Sequence, residues 1–244
     1  MRVISIFICV YLCGSLSEAC AEDITPSFSQ KLDIQVRYDN RSNRPSREQY
    51  RLRYYPSLAL TSTWSVNSFI VTGDDFSSSH NTFGSDTTDY LYARRLYLRH
   101  ETNAGKTELG IIPTYKGRVS STGLSKDGWI TGIRHVRKLQ NNTALEIVVG
   151  QLANAEASEA FNVGEEDEYF EIEYSAKMGG RHSYEASFER MLNGTFARAE
   201  YRFRINEEDT AFVELVQRTD ESAAKIVVGT SGEFAASAFN TSYP

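Results

Sequence analysis

The stretch from Tyr169 to Ile205 constrains the fold more than any other part of the sequence. It holds three runs in which apolar and polar residues alternate, separated by Gly-containing breaks at 178–181 and 192–194. Successive side chains of a β-strand point to opposite faces, so each run predicts a strand with one apolar and one charged face. Such short breaks fit hairpin turns, and we therefore predict an antiparallel meander.

The charged face of this meander distinguishes two fold classes. A soluble β-sandwich buries its apolar faces in a protein core, whereas a membrane barrel turns them to lipid and encloses polar residues in a lumen. The last run places Arg198, Glu200, Arg202 and Arg204 on one face, and this density of charge favours the barrel. We predict an all-β fold, an antiparallel up-and-down transmembrane β-barrel of about 12 strands. A secreted or periplasmic sandwich is the alternative.

The N-terminus predicts export. Met1-Arg2 and the apolar run 3–12 precede Ala19-Cys-Ala21, which has the small-x-small pattern of a signal-peptidase site. The apolar run is too short to span a bilayer as a helix. We predict a signal peptide over residues 1–21, cleaved near Ala21.

The cysteines all lie in this leader, at Cys9, Cys13 and Cys20. A disulfide framework is therefore excluded in the mature chain although the chain is exported. A lipoprotein anchored at Cys20 is an alternative reading of the leader. The remaining residues, 22–244, are predicted to form a single outer-membrane β-barrel domain.

The composition excludes two other classes. The formal net charge is -6 and no long basic segment is present, which argues against nucleic-acid binding. No window after the leader has the length and hydropathy of a transmembrane helix. The chain has 14 Tyr and 13 Phe, which strand-rich chains and the aromatic girdles of membrane barrels both require.

The connections between the predicted strands alternate in length. Short breaks follow the second, fourth, sixth and eighth strands, and Pro56 is predicted to end the second. Long polar loops follow the first, third, fifth and seventh strands, at 40–47, 73–88, 116–127 and 153–167. Short periplasmic turns and longer external loops produce this alternation in an outer-membrane barrel. A last apolar stretch, Phe234 to Phe239, either completes the final strand or adds another.

Two further features concern the predicted lipid face. Arg94 falls on it, where a cation costs about 2–4 kcal/mol at mid-depth, and a β-bulge beside Arg94 could move the side chain inward. Seven tyrosines are predicted to face outward and could form interfacial girdles: Tyr38, Tyr54, Tyr90, Tyr92, Tyr174, Tyr184 and Tyr201.

The inward-facing charges are sorted by strand. Closing the barrel would merge the basic strands at the two ends of the chain into one wall, opposite an acidic wall. The predicted pore-lining basic residues are Arg37, Arg51, Arg53, Arg95, Arg99, Arg198, Arg202 and Arg204, and the acidic ones are Glu146, Glu171, Glu173, Glu185 and Glu189. Such walls would create a transverse field that orients charged solutes. Alternatively, the same charges interlock as a salt-bridged plug in a closed lumen.

The leader, strand count, loop alternation and charged lumen resemble Gram-negative outer-membrane barrels. Arg51-Leu-Arg53 and 94–99, which contains three arginines, are similar to the arginine tracks of small monomeric porins for acidic oligosaccharides, which have twelve strands. The resemblance implies a passive porin-like channel in the cell outer membrane. The acidic strands between 144 and 190 depart from a lumen lined purely by cations.

The chemical alternatives have weaker signals. His80 lies in a predicted external loop near serines and aspartates, which would suit a barrel hydrolase, but no nucleophile motif surrounds it. The acidic run 165–168 could bind a divalent cation between lipopolysaccharide headgroups, but it lacks the spaced oxygens of a calcium loop. We therefore predict no catalytic residues, no metal and no cofactor.

The predicted function is that of a passive outer-membrane channel for small polar or charged solutes. Its expected partners are outer-membrane lipid, lipopolysaccharide and small hydrophilic solutes, with no nucleic acid, and its expected state is a monomer or small homo-oligomer. A structural or adhesive barrel with a closed lumen is the alternative, followed by an outer-membrane hydrolase.

Overall fold

The computed structural model describes residues 26–41, 44–74, 79–84, 90–114, 127–152, 156–162, 168–191 and 194–231. Within these ranges the chain is almost entirely β-strand, with one 3-10 turn at Ala157–Glu159. The strands are β1 Ser27–Arg41, β2 Arg44–Ala59, β3 Trp64–Thr72, β4 Asn81–Thr82, β5 Leu91–Thr102, β6 Gly105–Pro113, β7 Trp129–Lys138, β8 Thr143–Gln151, β9 Tyr169–Met178, β10 His182–Met191, β11 Gly194–Arg204, β12 Thr210–Arg218 and β13 Ala223–Ser231. The predicted signal peptide, the 165–168 run except Glu168, and the stretch Phe234 to Phe239 lie outside the described residues.

One sheet contains all the strands. Each strand pairs antiparallel with the next along the chain, except that β3 pairs directly with β5 and the short β4 pairs with β2. The predicted class, all-β with an antiparallel up-and-down sheet, is confirmed. Among the described residues no ladder joins β1 to β13, so closure into a barrel and insertion into a membrane stay predictions.

The distribution of burial in this sheet is the reverse of that in a soluble protein. On β9, Glu171 is 1% exposed, whereas Ile172 beside it is 38% exposed. The same alternation continues through β10, β11 and β12, where glutamates are buried and aromatic or aliphatic side chains are exposed. No second layer covers either face within the described chain, so the sheet must be curled with its charged face inside. We call this the inner face.

The loop alternation is present between β3 and β10, beyond which all connections are short. Long connections follow β3, β6 and β8 at one end of the sheet, and short ones lie at the other end, at 60–63, 103–104, 139–142 and 179–181. Asn141 and Asn142 both have positive φ, as do Gly179 and Gly180. Two consecutive residues of this kind are what a type I′ hairpin turn requires.

Two boundary predictions were wrong at the first hairpin. The predicted loop 40–47 is mostly strand, because β1 continues to Arg41 and β2 begins at Arg44. Pro56 does not end β2 but pairs with Gln30 of β1. The β2–β3 ladder is interrupted between Tyr54 and Ser57. Proline has no N–H to donate, and it is tolerated where a ladder is interrupted in this way.

A β-bulge lies at Arg94. Phe69 of β3 pairs with Arg95 and Ile70 pairs with Ala93, so Arg94 is the extra residue. Its side chain is fully buried and donates to the carbonyl oxygens of Thr72 and Gly73 at 3.2 and 2.7 Å. The bulge considered for this position is therefore present, and it accompanies a buried rather than an exposed arginine.

The same bulge also shifts the alternation of faces in β5, so that Ala93 and Arg95 pair with the neighbouring residues Ile70 and Phe69 of β3. Tyr92, predicted to face outward with the girdle tyrosines, instead packs against the buried cluster that contains Ile111 and Trp129. Tyr38, Tyr174 and Tyr201 are exposed, as predicted.

We expect substitution of Arg94 by Met to destabilise the fold by about 1–3 kcal/mol, because buried carbonyls lose a charged donor. The urea midpoint of protein refolded in detergent, followed by tryptophan fluorescence, measures the effect. Arg137→Met, at an exposed position near the end of β7, is the matched control and should change the midpoint little. Equal effects of the two substitutions would contradict the role of Arg94.

Candidate functional site

The inner face of β9 to β12 holds one arginine among four glutamates, which we call the Arg198 cluster. Arg198 Nη2 lies 3.1 Å from Glu173 Oε2, and its Nε lies 3.4 Å from Glu189 Oε1. Its Nη1 is 3.4 Å from Glu214 Oε1, and Glu185 also forms an ion pair with Nη2. All five side chains are buried. The cluster therefore carries more negative than positive charge away from bulk water.

Strand register explains why these glutamates need a cation. Glu185 of β10 lies directly opposite Glu200 of β11, which lies directly opposite Glu214 of β12. Like charges in directly opposed positions destabilise strand pairing. Arg198 and Arg202 lie two residues to either side of Glu200 on β11, and Arg202 forms an ion pair with Glu200. The alternating sequence thus provides the cations that this register requires.

A second ion-paired cluster lies on β5 to β8 around Arg134. Its Nη1 is 2.9 Å from Glu108 Oε2, and its Nε is 2.9 Å from Glu146 Oε1. Glu108 also pairs with Arg99 at 2.8 Å and with Lys106 at 3.4 Å. Glu108 and Arg134 are buried. We call these residues the Arg134 cluster.

Sequence reasoning missed Glu108 and Arg134. The alternation of Glu108 with Leu109 and Ile111 was a usable signal for the inward position of Glu108. The phase of β7 was ambiguous because Arg134 and Arg137 have opposite parity. The structure places Arg134 inside, since it pairs with Glu108 of β6 and Val148 of β8, both fully buried.

The remaining predicted basic residues lie on β1, β2 and β5, towards the end with the long connections. We call Arg37, Arg51, Arg53 and Arg95 the arginine face. Arg53 Nη2 lies 2.9 Å from Asp127 Oδ2 and Nη1 lies 3.9 Å from Asp33 Oδ2. Arg37 is exposed, Arg51 and Arg53 are half-buried, and only Arg95 is buried. Water therefore reaches this side of the inner face more readily than it reaches the Arg198 cluster.

Side chains from other segments hold the arginine face in place. Arg37 Nη2 donates to Gln49 Oε1 at 2.7 Å, and Arg95 Nε donates to the carbonyl oxygen of Gly128 at 2.8 Å. The guanidinium of Arg95 also lies 4.5 Å from the centre of the Phe69 ring, a distance at which cation–π attraction operates.

His80 lies beside this face. Burial, and then the positive charges of Arg37, Arg51 and Arg53, lower the pKa of His80 to about 4. Burial alone would raise the pKa of Asp127, but hydrogen bonding to groups that include Arg53, together with nearby positive charge, holds it below its usual value. At neutral pH His80 is therefore neutral and Asp127 is ionised, and the face keeps a net positive charge.

The predicted site residues thus fall into three groups. Arg37, Arg51, Arg53 and Arg95 form the arginine face, and Arg99 and Glu146 belong to the Arg134 cluster. Arg198, Glu173, Glu185 and Glu189 form the Arg198 cluster, Arg202 lies beside it and Arg204 is exposed near the end of β11. Glu171 accepts a hydrogen bond from Tyr169 Oη at 2.7 Å. The acidic strands therefore contain their own cations, while the arginine face has few acidic partners.

The described residues also bear on metals and on helical spans. They contain no group of three or more His, Cys, Asp or Glu side chains arranged to hold a metal ion. Nor does any described helix have the length and hydropathy to cross a membrane.

Comparisons with known proteins add little to this picture. No family model matches the chain, and no curated protein matches it. Among solved structures, it is similar to OmpT, an outer membrane protein of Vibrio cholerae folded in vitro and solved in a trimer form. The two are 12% identical over 87% of this chain and 85% of that chain, with a TM-score of 0.33. A TM-score of this size carries no argument, so function must be inferred from the geometry described above.

Replacing Arg198 by Met should destabilise the fold by about 3–5 kcal/mol, because four buried carboxylates lose their common cation. The urea midpoint in detergent measures the loss. Arg202→Met is the control: Arg202 is more exposed and pairs with Glu200, so we expect a smaller loss. A loss for Arg198→Met no greater than this control would exclude the proposed role.

The environment of His80 predicts a pH dependence. Between pH 6.5 and about 4, an unfolded or detached His80 binds a proton that the packed His80 does not, so the packing of 79–84 should weaken as the pH falls. NMR titration of the ring protons, assigned with His80→Gln, should give a midpoint near 4. Arg37→Gln should raise that midpoint by removing a positive charge. A midpoint at or above the ordinary histidine value would show that the arginines do not act on His80.

Proposed function

We propose that this protein is an outer-membrane β-barrel that acts as a passive, porin-like channel for small polar or charged solutes. The observation that carries the proposal is the reversed burial of the sheet, with ionised side chains inside and apolar side chains outside. The outer-membrane location, the lipid and lipopolysaccharide contacts and the solute pathway are parts of this proposal.

The apolar outer face supports a lipid environment. Exposed aliphatic and aromatic side chains lie directly opposite one another on adjacent strands, for example Ile147, Ile172 and Phe188 of β8, β9 and β10. Soluble monomers rarely expose contiguous apolar patches larger than a few hundred Å². In a bilayer the same surface meets hydrocarbon, and the ladders of the sheet satisfy the backbone polar groups, as a spanning strand requires.

The unequal exposure of the inner face supports a pathway along one side of the lumen. The Arg198 and Arg134 clusters are packed, whereas Arg51 and Arg53 of the arginine face remain half-exposed on β2, a strand with neighbours on both sides. Accessible guanidinium groups attract anions and bind carboxylates or phosphates in pairs of hydrogen bonds. We therefore infer that permeating solutes pass along the arginine face and that anions are favoured over cations.

A closed structural barrel is the second candidate. The observation that favours it is the burial of Glu108, Arg134, Glu171 and Glu214, each at most 2% exposed. Interlocked ion pairs of this kind fill space that water would occupy in an open lumen. The two candidates predict different behaviour in planar bilayers.

Refolded protein should show stepwise conductance in a planar bilayer, because the accessible arginines leave a hydrated path. The same preparation should resist SDS unheated and change its mobility on boiling, as closed membrane barrels with satisfied ladders do. Heat-modifiable protein that gives no current steps would support the closed structural barrel instead. Protein without heat modifiability would contradict the barrel itself.

Charge reversal should identify the pathway. In the double variant Arg51→Glu/Arg53→Glu, the reversal potential in a salt gradient should change towards cation selectivity. The matched control is Arg137→Glu/Arg190→Glu, which makes the same change of charge at exposed outer-face positions and should leave selectivity unchanged. Equal selectivity in the two variants would contradict a pathway along the arginine face.

A further inference from the structure

Among the described strands, the outermost two, β1 and β13, each have no paired neighbour on one side. On β13, Ile226 and Val228 are 68% and 75% exposed, whereas Leu215 and Val213, their partners on β12, are 44% and 39% exposed. On β1, Val36 is 69% exposed. The excess exposure is what a missing neighbouring strand produces. Both edges therefore present unpaired backbone groups and the same apolar outer face.

We propose that β13, Ala223–Ser231, covers the facing part of the edge of β1, with Ala223 opposite Arg41 and every later residue of β13 paired in antiparallel register from there. This inference rests on the proposed barrel and specifies how it closes. The twelve strands along the path are even in number, so β1 and β13 run in opposite directions, as antiparallel closure requires.

The offset of the closure follows from the observed ladders. We start at Ser27 of β1 and step from each residue to the residue directly opposite it on the next strand. These steps pass through Glu108 and Glu171 and end at Ala223 of β13. Ala223 is the first residue of β13, at the end of the sheet where β1 finishes with Arg41. If Ala223 lies opposite Arg41, one circuit of the barrel that starts at Ser27 returns to β1 at Arg41. The offset along β1 is then 14 residues.

This offset agrees with the geometry of barrels. An advance of 14 residues at about 3.3 Å each, over twelve strands about 4.8 Å apart, gives a strand tilt of about 39°. Barrels close with tilts of roughly 35–45°. The offset must also be even, because a slip of one residue would exchange the inner and outer faces. The neighbouring possibilities are therefore offsets two residues smaller or larger.

Charge decides among these three registers. The proposed register pairs Lys225 with Asp39, residues of opposite charge. The smaller offset would pair Lys225 with Arg37, and the larger one would pair it with Arg41. Like charges directly opposite each other destabilise a ladder and opposite charges stabilise it. Only the proposed register avoids a repulsive pair at this position.

Cysteine pairs test the register directly. A chain that begins at Glu22 has no cysteine, because the native ones are Cys9, Cys13 and Cys20. Val36→Cys/Val228→Cys places two cysteines directly opposite each other in the proposed register, where opposed Cα atoms lie about 4.5–5.5 Å apart, within the range a disulfide spans. The variants are refolded in detergent, oxidised, and analysed by non-reducing gel and peptide mass spectrometry.

Two matched variants represent the alternative registers: Val36→Cys/Ile226→Cys for the smaller offset and Tyr38→Cys/Val228→Cys for the larger. In the proposed register each of these pairs is diagonal, about 7–8 Å apart, and should not form a disulfide. We expect an intramolecular disulfide in Val36→Cys/Val228→Cys and none in the other two.

The outcomes separate this inference from the proposed function. A disulfide only in a shifted variant would overturn the register while leaving a closed barrel intact. No intramolecular disulfide in any variant would overturn both the closure and the barrel. Disulfides between molecules would show that a second copy covers β1 instead.

Discussion

Neutralisation of buried charge is the constraint on which this sheet depends. Lipid or any other apolar surroundings would accept the outer face in several registers, because every slip of two residues keeps apolar side chains outside. The inner face has no such freedom. The directly opposed glutamates on β10, β11 and β12 are compatible with pairing only while Arg198 pairs with Glu185 and Glu214 and Arg202 pairs with Glu200. Ion pairs inside, rather than apolar contacts outside, therefore specify which residues face each other.

Local alternation was sufficient to predict most of the strands, because period-two patterning depends only on neighbouring positions. The exceptions arise from non-local causes. The burial of Arg94 accompanies a bulge, which is visible only when β5 is counted against β3. The polar stretch 40–47 is mostly strand because each edge of a long hairpin supports the other. The Glu108–Arg134 pair joins two strands whose register the sequence does not show.

The inner face is divided by the degree to which its charges are satisfied. Around Arg134 and Arg198, each cation meets several carboxylates and the side chains are buried. On β1 and β2, the guanidinium groups of Arg37 and Arg51 remain partly open to water. Desolvated ion pairs resist rearrangement, whereas solvated cations can exchange partners. The Arg134 and Arg198 clusters are therefore suited to stabilising the sheet, and the arginine face is suited to transient contact with passing anions.

The arrangement of one arginine among four glutamates has a consequence for how such a chain could diverge. Loss of a single glutamate leaves Arg198 with other carboxylates, so each glutamate could be substituted separately. Loss of the arginine removes the shared cation from all four glutamates at once. Among descendants of this gene, substitutions should therefore accumulate at the periphery of the cluster, while its centre persists or the whole group is replaced together.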